Sequence, residues 1–149
     1  MEEINQVTDY LNEERQQKLI RFNYAVHKAK GALFFAAGLS LIPMIISYSR
    51  TDGQMGSLDI ILFVLLFCSF IGLSFFASKK PFTAIVISAI IYFTYIIILA
   101  LPFLFAKGFS GFLMAIYGGC LFKIIVLSIL GKASQIAKPM QMLKEEMDL

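Results

Sequence analysis

Apolar residues in this chain fall into four long blocks separated by short polar turns, and the blocks carry no amphipathic striping. Residues 31–48, 58–77, 81–101 and 109–130 each run for roughly 18 to 22 residues, the length at which a helix crosses the hydrocarbon of a bilayer. Within them the charged residues are Asp59, at the edge of the second block, and Lys123, inside the fourth. So short a chain has no polar remainder able to bury four such blocks. The pattern therefore predicts an all-α polytopic membrane protein, a four-transmembrane-helix bundle over 31–131.

The ends read differently. In residues 1–30, Ile4, Val7, Leu11, Leu19, Phe22 and Val26 share one broad face at 100° per residue, with Glu13, Glu14 and Gln17 largely opposite. Arg15 and Lys18 interrupt that face. The spacing predicts an amphipathic N-terminal cytoplasmic helix, either lying along anionic headgroups with its cations snorkelling or solvated and continuous with span one. Residues 132–149 predict a cytoplasmic tail in which Pro139 breaks the helix leaving the membrane. Pro43 predicts a kink in span one, Pro81 opens span three, and Pro102 closes it. "SRTDGQMGS" and "SKKP" are turns, and "AKGFSG" leads the chain into span four.

Composition and charge sharpen the class. Of 149 residues, 58% are hydrophobic and 15% charged, far from a soluble globule. Ten of the 13 lysines and arginines fall in the two tails and the turn at Lys79 and Lys80, against Arg50 and Lys107 in the other loops. This asymmetry predicts that both termini are cytoplasmic. The net charge of +3 then reflects topology, and no nucleic-acid partner is needed to explain it. The polar start holds no apolar core with a cleavage site, so the first span is expected to act as its own insertion signal. Cys68 and Cys120 both lie in spans and are expected to be packing residues.

The inventory for catalysis is thin. His27 stands alone and outside the spans, no paired intramembrane aspartates occur, and no serine has an intramembrane base. The chain is expected not to be an enzyme and to use no metal or cofactor.

Lys123 is the feature that asks for a reason. On an unbroken fourth span it lies about 12 Å from the cytoplasmic end and about 21 Å from the outer end, a little inside the midplane. Gly111, Ala115, Gly119 and Lys123 are spaced by four, which predicts a small-residue seam where another helix approaches closely. Ser88 and Tyr92, four apart on span three, fall at a depth that brackets the lysine, as do Ser40 and Ser69. No carboxylate does. Hydroxyls, freed backbone carbonyls or an acid from another molecule are the candidate partners.

The stretches "ASKKPFTAIVISAIIYFTYII" and "LFKIIVLSILGKASQIAKPMQMLKEE" resemble small four-span membrane proteins of uncharacterised function from bacteria, notably the Bacteroidota. In such proteins a lysine opening an isoleucine-rich run, then a glycine and a basic tail, is similar to Lys123, Gly131 and Lys132. The resemblance implies a bacterial inner-membrane location and no activity. Two functions are expected to compete. One is a non-enzymatic accessory, assembly or immunity-type subunit that packs against membrane lipids and a protein partner or further copies of itself. The other is a small homo-oligomeric ion channel or transporter using Lys123 and the hydroxyl belt.

Overall fold

Four helices, with no strand among the described residues, make up the computed structural model, which describes residues 2–50, 56–117 and 120–146. α1 runs Glu2–Arg50, α2 Ser57–Phe76, α3 Pro81–Tyr117 and α4 Cys120–Glu146. Each contains a stretch long and apolar enough to cross a bilayer: Asn12–Ile42, Asp59–Phe76, Pro81–Tyr117 and Cys120–Lys144. α1 packs against all three others and α3 also contacts α2 and α4, so α2 and α4 occupy opposite corners of the bundle. Short connections between antiparallel neighbours produce this arrangement.

The expected spans one to three lie within α1, α2 and α3, but three proline and tail readings need correction. α3 continues through Pro102 and changes direction only at Gly108, whose φ of 67° and ψ of −163° suit glycine alone. α4 likewise continues through Pro139, which does not break the helix before Glu146. One missing N–H is tolerable there because Ala137 is fully buried on one side and Gln141 is anchored on the other. α1 remains helical past position 43, whose side chain lies outside the description, as do residues 51–55.

The core is built from small residues. Ala25, Ala29, Ala32, Ala36 and Ser40 recur every three or four positions along α1 and are all buried. Val126, Leu130, Ala133 and Ala137 do the same along α4. Ala29, Ala32 and Ala36 join all four of these α4 residues in one buried cluster. Small side chains let the two backbones approach closely, which is how helices associate where lipid removes most of the hydrophobic drive. The larger Leu33, Leu66, Phe70 and Ile85 fill the middle, with the Phe70 and Tyr92 rings 6.1 Å apart. Outward, Phe35, Leu65, Phe75, Ile90 and Leu121 are exposed, as a lipid-facing surface requires.

One end of the bundle is pinned by a polar contact. The Thr83 backbone N–H, in the first turn of α3, donates to Gln141 Oε1 at 3.2 Å, and Gln141 Nε2 donates to Thr83 Oγ1 at 3.0 Å. A side chain of α4 thus satisfies one of the N–H groups that a helix start leaves open. At the same end the Lys144 ammonium sits 4.8 Å from the Phe22 ring centroid. Beyond this level the described part of α1 runs on to Glu2, about 18 residues or roughly 27 Å past the described end of α4.

Candidate functional site

Lys123 lies in the first turn of α4, half-buried, and its Nζ donates to the carbonyl oxygens of Ala115 at 3.0 Å and Ile116 at 2.8 Å. These are eight and seven residues earlier. On a straight helix such oxygens would stand roughly 8 to 10 Å along the axis from the lysine Cα, at the limit of the roughly 9 Å that an extended lysine side chain and one hydrogen bond span together. The lysine thus ties the first described turn of α4 to the last described turn of α3. Residues 118–119 between them lie outside the described residues, so the expected span 109–130 is seen as 109–117 and 120–130.

The lysine connects the two described helices. A helix leaves its last carbonyls without intrahelical donors, and its C-terminal end carries partial negative charge. Side chains lean toward the N-terminus of their own helix, so Lys123 points back at the end of the preceding arm without bending against its preference. Two carbonyls of the same chain solvate the ammonium. No outside acid is needed to satisfy those bonds.

The other expected site residues are distributed differently. A Cβ on Gly111 would fall 2.5 Å from Lys107 Cβ and 2.8 Å from the Phe103 carbonyl oxygen. Gly111 is therefore required where the second arm of α3 folds against the first. Ala115 does meet Lys123, through its carbonyl and not its methyl. Gly119 lies outside the described residues. Ser88 and Tyr92 are buried on one face of α3, as expected, but Ser88 Oγ donates to Ile85 O at 2.7 Å in its own helix. Depth separates them from the lysine as well. Leu127, one turn beyond Lys123, lines a groove shared with Phe93 and Thr94, while Ser134 lines it alongside Ile85. The helices are antiparallel, so Lys123 lies beyond Phe93, with Tyr92 and then Ser88 progressively farther away.

Hydroxyls elsewhere are also engaged locally. Ser40 Oγ donates to Ala37 O and Ser74 Oγ to Ile71 O, both at 2.7 Å. Such bonds to the preceding turn are how a hydroxyl satisfies itself in a helix without a partner. Cys120 is partly buried, but Cys68 is exposed on α2 and is not the packing residue expected there.

Sequence reasoning missed three features. Ile116 gave no sign of its part, because its contribution is a backbone oxygen. The α1–α4 alanine seam was visible in "AVHKAKGALFFAAGLS" and "GKASQIAK", whose small residues repeat at helical spacing. The groove between α3 and α4 was not foreseen either. It encloses about 450 Å³ and is lined chiefly by Ile85, Val86, Ile90, Phe93, Leu127 and Leu130.

Comparison with models of known protein families, with curated proteins and with solved structures gives no match for this chain. The geometry of the molecule must carry any functional reading.

Proposed function

We propose that this chain is a non-enzymatic, multi-pass subunit of the bacterial inner membrane, with both termini cytoplasmic, that serves as an accessory, assembly or immunity-type partner of another membrane protein. The observation that carries this reading is the overhang of α1. Its first part extends beyond the end of α4, and every described side chain from Tyr10 to Gln17 is exposed. A helix standing alone is marginal in water, and most helices gain their stability by packing a face. Ile4, Val7 and Leu11 give the overhang such a face in sequence, and the Glu14–Lys18 ion pair at 2.6 Å, on the cations' side of that face, supports the helix. The bundle anchors the helix, and the helix is the part presented.

The channel or transporter reading has less support. The buried serines of the described interior bond their own helices, and Lys123 is held by carbonyls at a helix junction. Neither arrangement lines a polar path.

Purification from native membranes in mild detergent, through a C-terminal tag, tests the proposal. A second protein is expected to co-purify at fixed stoichiometry, and deletion of residues 2–18 is expected to release it while the melting temperature of the bundle stays unchanged. A monomer without companions, or a partner retained after the deletion, counts against it.

A further inference from the structure

The groove between α3 and α4 continues, on one helix face, into a group of cations. Leu127, Gly131 and Ser134 line it at helical spacing, and the next position of that stripe is Lys138, exposed about 10 Å beyond Gly131. The Thr83–Gln141 contact holds this end of α4 against the start of α3, where Lys79 and Lys80 are also exposed. None of these three lysines is in an ion pair among the described residues.

The groove itself asks for an apolar occupant. Its two hydroxyls are already used, Thr94 Oγ1 on Ile90 O at 2.9 Å and Ser134 Oγ on Gly131 O at 2.8 Å. Gly131 has no heavy atom within 4 Å of where a Cβ would stand, so open space lies over the α4 backbone. A slot without spare donors that ends at unpaired positive charge matches one kind of molecule. We infer that the groove seats an acyl chain of an anionic phospholipid, with its phosphate held by Lys138 and the Lys79–Lys80 turn. Lysines at a membrane surface attract anionic headgroups, and the apolar slot fixes where the lipid lies. This inference does not depend on a protein partner.

Native mass spectrometry of the full chain, titrated in detergent with phosphatidylglycerol or with phosphatidylcholine of the same acyl chains, tests it. One phosphatidylglycerol is expected to remain bound under activation that strips phosphatidylcholine, with a preference of roughly tenfold or more. Lys138→Gln combined with Lys79→Gln and Lys80→Gln should reduce that preference to near parity. Gly131→Leu, which fills the slot, should lose the retained lipid altogether, with helicity by circular dichroism confirming the fold. Lys107→Gln, away from the groove, should change nothing. Equal retention of the two lipids overturns the inference, as does a Gly131→Leu protein that keeps its phosphatidylglycerol. A dimer that Gly131→Leu dissociates overturns it too, because the slot would then hold a second copy. If Gly131→Leu does not fold, the lysine variants alone decide, and unchanged preference in them is a negative result.

Discussion

The ammonium of Lys123 donates to the carbonyl oxygen of Ile116 at 2.8 Å, joining the first turn of α4 to the end of the helical arm before it. The neighbouring Ala115 oxygen accepts from the same nitrogen at 3.0 Å. A cation in an apolar helix thus does the work of a helix cap, supplying donors to two carbonyls of the last described turn of α3. This explains a costly residue without assigning it to transport or to an external acid.

Lys123→Met should therefore destabilise the protein itself. Hydrogen bonds to a charged group contribute about 1.5–3 kcal/mol each, so loss of two partly exposed ones is expected to cost about 2–4 kcal/mol. Thermal unfolding in detergent measures the total. Hydrogen exchange should locate it, with faster exchange at 109–117 and little change in α2. A variant as stable as the parent would remove the capping role.

Most of the fold was legible because four apolar blocks of bilayer length permit few alternatives. Breaks within helices were read less well. Pro102 and Pro139 looked like terminators by local chemistry, yet the helix continues through both, each two residues after a buried alanine, Ala100 and Ala137. The actual corner, Gly108, was visible only as part of a polar turn. Spacing by four suggested one seam from Gly111 through Ala115 and Gly119 to Lys123, of which Gly119 lies outside the described residues. The hydroxyls near Lys123 were assigned by counting depth along an unbroken fourth span. Alanines 25, 29, 32 and 36 attracted no notice, although their spacing marked the real seam.

The corner at Gly108 and Gly111 should tolerate no side chain. Gly108→Ala forces a β-carbon into a backbone region essentially reserved for glycine, a strain of about 1–3 kcal/mol. In Gly111→Ala the new methyl meets the Phe103 carbonyl, which cannot move without shifting the backbone, so a loss of about 1–3 kcal/mol is expected. Gly72→Ala is the control. Nothing lies within 4 Å of its Cβ position, and helix propensity predicts a gain of up to about 1 kcal/mol. Melting temperatures of the three proteins should fall in that order relative to the parent, with only Gly72→Ala at or above it.

Overpacking the alanine seam should separate α1 from α4. Ala36→Leu and Ala133→Leu each place a branched side chain where both helices are buried, at a cost of about 1–3 kcal/mol or more. Gly38→Leu, on an exposed position of α1 with open space at its Cβ, should cost nothing measurable. A cysteine pair engineered across the seam would report the separation as slower cross-linking in the leucine variants. Equal cross-linking in all three would mean that close approach of these helices does not depend on small residues.

The contact between Thr83 and Gln141 is predicted to hold the last turns of α4, and a double-mutant cycle can isolate it. Pro139 removes one backbone bond just before this point, so the helix beyond it has fewer internal supports than any other part of α4. Gln141→Ala leaves the Thr83 N–H without its long-range acceptor, and Thr83→Ala keeps that N–H bond while removing the hydroxyl. The first should therefore cost more than the second. Their coupling energy is expected at about 0.5–1.5 kcal/mol, the net value of a typical protein hydrogen bond. If the contact is the anchor, amide exchange in residues 140–146 should quicken in Gln141→Ala while exchange across 126–133, buried against α1, keeps the parent rate. Uniformly faster exchange along the whole of α4 would mean instead that Gln141 supports the bundle and not its end. Unchanged exchange past Pro139 would show that the Lys144–Phe22 contact is enough to hold the helix in place.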